Sequence, residues 1–168
     1  MDTIPAPSIV FEPLHEGVTA PTRATTGAAG YDVRAYLLGR SVRLWRDGAE
    51  LLQPTDASGA LALEPNDVAL VPLGFRARLP DGYEAQVRLR SSIAFRRGLM
   101  LPNAPGTIDA DYPDEWLVMV RNVSTTRAII EHRERIAQII LHRYAALAWA
   151  TGNVGRSTDR RGGIGSTG

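Results

Sequence analysis

The stretch Asn103-Ala104-Pro105-Gly106-Thr107-Ile108-Asp109-Ala110-Asp111-Tyr112 sets two acids, two positions apart, between a Pro-Gly turn and a tyrosine. Each part alone is ordinary: Pro-Gly makes turns, Asn and Asp favour turns, and Tyr favours strands. A lone Asp-X-Asp is more often structural than functional, so its surroundings decide. Packed together inside an otherwise apolar, strand-like region, these residues read as a site carried on a β framework.

The flanking sequence supports the β framework. With 16 glycines and 11 prolines punctuating short apolar runs, the chain predicts many short strands in place of long helices. Val68 to Phe75, Tyr83 to Arg90, Leu117 to Val120 and Ile136 to Leu141 all read as strands. In the second, Ala85, Val87 and Leu89 alternate with Glu84, Gln86, Arg88 and Arg90, as one buried and one polar face require. The one helix candidate runs from Ser92 to Arg97, with Ser91 or Ser92 as its N-cap. Its first amides would face an anion.

Between positions 39 and 66, Asp47-Gly48 flanked by Val42, Leu44 and Leu51 predicts an added β-hairpin. Its Trp45 either binds a partner or, as the usual burial of tryptophan favours, belongs to a hairpin that caps the barrel. From position 151 to 168 the chain is rich in glycine and poor in apolar residues. That composition predicts a mobile C-terminal arm, either frayed or ordering over phosphates when a ligand binds.

Composition excludes several classes of function. The chain has 168 residues, 44% of them hydrophobic, which is enough for one core and predicts a single domain over 1–168. Its 19 basic and 18 acidic residues leave a net charge of +1, so neither a nucleic acid polymer nor a membrane surface is an expected partner. There is no lysine, which removes P-loop and Schiff-base chemistry, and no cysteine, which removes disulfides, thiolate metal sites and thiol nucleophiles. The scattered His15, His132 and His142 are expected to be structural. Without a signal-like N-terminus or a run of about 18 apolar residues, a cytoplasmic location is expected.

Four further segments lie in order around the opening stretch: Ala28 to Ala35 with Gly30-Tyr31-Asp32, Arg90-Ser91-Ser92 running on to Gly98, Arg135-Ile136-Ala137-Gln138, and Gly162 to Gly168. Together the five resemble the motifs of the trimeric dUTP diphosphatase (dUTPase) family, from about Thr22 to Gly168. The resemblance implies an all-β, jelly-roll-like barrel with one short helix and a mobile glycine-rich arm. It further implies a homotrimer whose active sites combine segments of neighbouring chains. The implied reaction is hydrolysis of dUTP to dUMP and pyrophosphate.

By that resemblance Asp109 is the general base for the attacking water. Tyr112 lies against the deoxyribose and leaves no room for a 2′-hydroxyl, while the hairpin carrying Asn103, Gly106, Thr107 and Ile108 reads the uracil edge. Arg90, Ser91 and Ser92 combine a guanidinium fork, hydroxyls and amides suited to the α- and β-phosphates. Gln138 is expected to reach the phosphate region, with Arg135 either beside it or in a buried ion pair. The tail residues Arg160, Arg161, Gly163, Ile164, Gly165 and Ser166 cover the substrate, with either arginine available to the γ-phosphate. Asp32 is implied to act on Mg2+ only through water, because the cation is held mainly by the triphosphate.

Three departures stand out: Pro113-Asp114 replaces the usual arginine and glycine, Ile164 replaces an aromatic residue, and Arg160-Arg161 sit one position closer to Gly162. A rigid φ at Pro113 predicts a changed loop and a lost arginine contact. The sister dCTP deaminase family needs a glutamate where this chain has Met119, which cannot move a proton. A regulatory nucleotide-binding protein on the same fold is the remaining alternative.

Overall fold

The structure, a computed structural model, describes residues 7–159. In chain order the first elements are β1 (Val10–Pro13), β2 (Thr22–Arg23), β3 (Tyr31–Arg34), β4 (Ser41–Arg46), β5 (Ala49–Pro54), β6 (Leu61–Leu63), β7 (Val68–Pro72) and β8 (Phe75–Arg78). They continue with β9 (Tyr83–Leu89), α1 (Ser91–Arg97), β10 (Leu99–Met100), β11 (Gly106–Ile108), β12 (Leu117–Asn122), β13 (Ala128–Ile130) and β14 (Arg135–Arg143). The all-β class is as expected. The strands form two five-stranded sheets, ordered β11-β9-β14-β3-β2 and β10-β12-β7-β4-β5, and two two-stranded ones, β1-β8 and β13-β6. Among the described residues every pairing is antiparallel, and the hydrogen-bonded sheets are open, not joined into a closed barrel.

Period-two alternation builds the core. Ala85 and Val87 of β9 and Ala137 and Ile139 of β14 point inward from one large sheet, and Val42, Leu44, Ala69, Val71, Val118 and Val120 from the other. All belong to one buried cluster. Among the described residues two polar side chains are buried with them, and both are satisfied. Asn122 donates to the carbonyls of Leu63 and Thr126, and Asp67 accepts two bonds from Arg46, at 2.8 and 2.6 Å. Because Arg46 ends β4, that pair ties the β4–β5 hairpin to β7. Removing it would strand a buried carboxylate at a cost on the order of 3 kcal/mol.

Three expectations need correction. Val68 to Phe75 is not one strand: Gly74, at φ +77°, turns the chain so that β7 pairs with β12 and β4 while β8 leaves to pair with β1. A Cβ on Gly74 would lie 2.9 Å from the Tyr36 side chain, so both the turn and the close approach favour glycine. The helix begins one residue earlier than expected, with Arg90 at the N-cap and no side-chain capping bond, so neither serine is the cap. Its end is an αL Gly98 whose N–H donates to the Ala94 carbonyl. Finally, Trp45 does not bury itself in a cap. It stands on the outer face of its sheet, 51% exposed.

Candidate active site

The stretch around the acidic pair folds as a loop and a short strand. Asn103 to Pro105 leads into β11, whose Gly106, Thr107 and Ile108 pair with Val87, Gln86 and Ala85 of β9. The Ala104–Pro105 peptide is cis. After Ile108 the chain turns, and the Tyr112 N–H donates to the Asp109 carbonyl at 3.2 Å. Asp111 lies in this turn, exposed, because pairing with β9 ends at Ile108.

The loop, β11 and the turn enclose a cavity of about 180 Å³, the space of about six waters and the scale of one pyrimidine ring. Asn103, Gly106, Thr107, Ile108, Asp109 and Tyr112 all line it. Its remaining wall is apolar: Leu70, Val87, Leu101, Leu117 and Met119. Gly106 keeps the slot open, since a Cβ there would sit 3.3 Å from Val87 Cβ and 3.4 Å from the Asn103 amide nitrogen. Asp109 is exposed at the lip, and its carboxylate makes no hydrogen bond or ion pair among the described residues.

A second cluster forms on the polar face of the same sheet, opposite the buried face from which Val87 lines the slot. Register sets Gln138 of β14 opposite both Arg88 of β9 and Asp32 of β3, so one polar row crosses three strands. The Asp32 carboxylate accepts from Arg135 Nη1 at 3.1 Å and lies 3.6 Å from Arg90 Nε. Arg90 Nη1 also donates to the Arg135 carbonyl. Arg135 is thus an ion-pair partner, but one whose side chain is 43% exposed. Gly30 leaves room for Gln138: a Cβ at that position would fall 2.1 Å from Gln138 Oε1. Ser91 and Ser92 open α1 beside this cluster, and first-turn amides have no partner inside a helix. The far end of α1 is held by Arg97, which pairs with Glu134 at 2.6 Å and donates to the Ile129 carbonyl.

The two clusters do not meet. No side-chain hydrogen bond or ion pair joins Asp32, Arg90, Arg135 and Gln138 to Asn103, Asp109 and Tyr112 among the described residues. Arg160, Arg161, Gly163, Ile164, Gly165 and Ser166 lie outside the described residues. Among those that are described, no three His, Cys, Asp or Glu side chains gather as a metal cage.

Three contributions went unread in the sequence. Leu70, Leu117 and Met119 line the slot, and the alternation of β12 already placed Leu117 and Met119 on one face. Glu115, just past the altered Pro113-Asp114 pair, accepts the Gly74 N–H at 2.8 Å and pairs with Arg40 at 2.6 Å, so it fixes the loop that carries Tyr112. His132 Nδ1 accepts the amides of Leu37 and Leu38, at 3.0 and 3.2 Å, which places the ring proton on Nε2. Burial, aided by nearby Arg133, holds its pKa below the ordinary histidine value.

The dUTPase family profile matches residues 56–168. The chain is also 39% identical to the deoxyuridine 5'-triphosphate nucleotidohydrolase of Desulfotalea psychrophila, over 91% of this chain and 89% of that one. This chain belongs to the dUTPase family. Among solved structures, a mutant of the Staphylococcus bacteriophage 80alpha dUTPase with dUpNHpp is similar at a TM-score of 0.74 and 19% identity, over 96% of this chain and 98% of that one. A mutant dUTPase from phage phi11 of S. aureus, described with a structural Mg(II) ion, is similar at a TM-score of 0.69 and 16% identity, over 89% and 99%. At such identities these two dUTPases establish a shared fold.

Proposed function

We propose that this dUTPase-family chain hydrolyses dUTP to dUMP and pyrophosphate. The carrying observation is an uncommitted carboxylate, Asp109, at the lip of a ring-sized slot that also holds Asn103, Gly106 and Tyr112. The uracil enters the slot, where the Asn103 amide and the β11 backbone meet its polar edge and the apolar wall leaves no room for a 5-methyl group. Buried polar groups that are left unpaired by a wrong base discriminate by about 10⁴ to 10⁵. Tyr112 packs against the deoxyribose and excludes a 2′-hydroxyl.

Asp109 orients a water and takes its proton as the oxygen attacks the α-phosphorus. The bond from the α-phosphorus to the bridging oxygen breaks, and pyrophosphate leaves. Such transfers demand positioning and charge neutralisation more than covalent help. Arg90, Ser91, Ser92 and Gln138 hold the phosphates. The donor set suits a magnesium ion carried by the triphosphate, since among the described residues Asp32 is the only carboxylate of the arginine cluster and no protein cage forms. When bound, that ion neutralises phosphate charge.

The family resemblance implies that each complete site takes the slot from one copy and the cluster from another, and the lack of any bond between the two among the described residues of one chain supports that reading. This fits a homotrimer. The test is pyrophosphate release with magnesium from dUTP, UTP, dTTP and dCTP, with nucleoside products resolved. Release from dUTP alone is expected. No release from any of the four would defeat the proposal, and uracil products from dCTP would mean deaminase chemistry despite Met119.

A further inference from the structure

The β4–β5 hairpin carries none of the residues proposed to act on dUTP, yet one side chain at its foot ties it to the slot. The two feet are clipped together: Thr55 donates its N–H to the Arg40 carbonyl at 3.0 Å, and its hydroxyl lies 2.8 and 3.1 Å from the carbonyls of Leu37 and Arg40. From this fixed foot the Arg40 guanidinium reaches across to the loop after Tyr112. Its Nη2 donates to Glu115 Oε2 at 2.6 Å and its Nη1 to His15 Nε2 at 2.8 Å, and the His15 ring stacks on Tyr36 with centroids 4.2 Å apart. Glu115 uses its other oxygen to accept the Gly74 N–H at 2.8 Å. Both partners are half-buried, which spares the pair much of the screening that makes exposed ion pairs weak.

Glu115 stands three positions after Tyr112, and Pro113 between them has a fixed φ. Where Glu115 is anchored therefore governs where Tyr112 stands, with the bond from the Tyr112 N–H to the Asp109 carbonyl holding it from the other side. Packing alone does not settle its position. Tyr112 lines the slot and also a second cavity, of about 290 Å³, that Arg40, Asp114 and Glu115 line with it. It has space to retreat into, and the Arg40–Glu115 pair is the side-chain tie between the hairpin foot and its loop.

We propose that Arg40 and Glu115 are positioning residues for the slot: through them the hairpin sets how closely Tyr112 stands against the sugar, and so how strictly a 2′-hydroxyl is refused. This rests on the reading of the slot as the nucleoside site. Every part of the device lies within one chain.

Two measurements on the full chain test it, with the wild type, Arg40→Gln, Glu115→Gln, the double variant and Arg40→Lys. One is kcat and KM for dUTP and for UTP; the other, which needs no turnover, is amide hydrogen exchange across 109–116. In either glutamine variant the preference for dUTP over UTP, as a ratio of kcat/KM, should narrow by about tenfold. Exchange at the Tyr112 amide should quicken by about tenfold as well. The double variant should be no worse than either single one, because both remove the same contact, and Arg40→Lys, which keeps the charge and loses the fork, should recover part of the preference. A pair that merely holds the fold would lower the thermal midpoint and leave the ratio where it was. That result, or unchanged exchange at Tyr112, overturns the proposal. Should one glutamine variant fail to fold, the other decides, since it breaks the contact from the opposite end. A wild type that turns over neither nucleotide, or both alike, would defeat the reading of the slot, and quickened exchange in the variants would then still support the pair as what holds Tyr112.

Discussion

The slot and the arginine cluster sit on one sheet and are built on opposite principles. In the cluster every charge is committed: Asp32 is held by Arg135 and faces Arg90, while Arg90 also binds the Arg135 carbonyl. In the slot the one carboxylate, Asp109, has no partner among the described residues. Groups that must meet a triphosphate gain from being held in place beforehand, since ordering three long side chains at each encounter would cost rotamer entropy. A proton acceptor must stay unengaged until its water arrives. On the proposed reaction, the contrast gives phosphate binding to the cluster, and base recognition and proton transfer to the slot.

Asp109→Asn should break the contrast most severely. Turnover of dUTP should fall by about 10² to 10⁴-fold, the range for loss of a general base, while the thermal midpoint stays put because no native partner is lost. Pyrophosphate release and calorimetry check both halves, and a large fall in the midpoint would show that Asp109 is structural after all. Asp32→Asn is next, unpinning Arg90 and Arg135. We expect kcat/KM to fall by about 10²-fold, and dUpNHpp to bind more weakly even with divalent cations chelated. Unchanged binding without metal would confine Asp32 to the hydration shell of magnesium.

Gly30→Ala sharpens the comparison within the cluster, because its methyl group would occupy the place of the Gln138 amide. Roughly tenfold slower turnover is expected, with oligomer and fold retained. Full activity would show that Gln138 is not needed where it stands. The smallest effect concerns stability. His132 has a folded pKa below its unfolded value near 6.5, so the unfolded chain takes up the proton first as pH falls. The contribution of His132 is complete above about pH 6.5 and is lost between there and the lower folded value. His132→Gln should flatten that part of the profile, removing a shift of about one to three degrees between pH 7.5 and pH 5.5 in scanning calorimetry.

Local rules made much of this legible. The Asp47-Gly48 hairpin turn has both residues at positive φ, 51° and 82°, which is what that dipeptide favours. The Pro-Gly stretch reads as a site because its turn and strand chemistry is contained within about ten residues. Pairings between distant strands were hidden. Asp32 and Arg135 stand 103 positions apart, and only the register of β3 on β14 makes them partners. The same holds for Glu115 with Gly74 and Arg40, where an acid after an unusual proline gives no hint of its distant partners. Met119 was read for what it cannot do as an acid. Its place in the slot wall follows from alternation in β12 once the outward face is known.

The solitary position of Asp109 has a practical consequence. A side chain that contributes nothing to holding the protein together can be replaced without disturbing the surface it reacts across. On the proposed reaction, Asp109→Asn would therefore lengthen the life of bound dUTP by the same factor of about 10² to 10⁴ by which turnover falls, and a crystal of that variant soaked briefly would show the substrate with its bridging oxygen intact, where the imido analogue substitutes nitrogen.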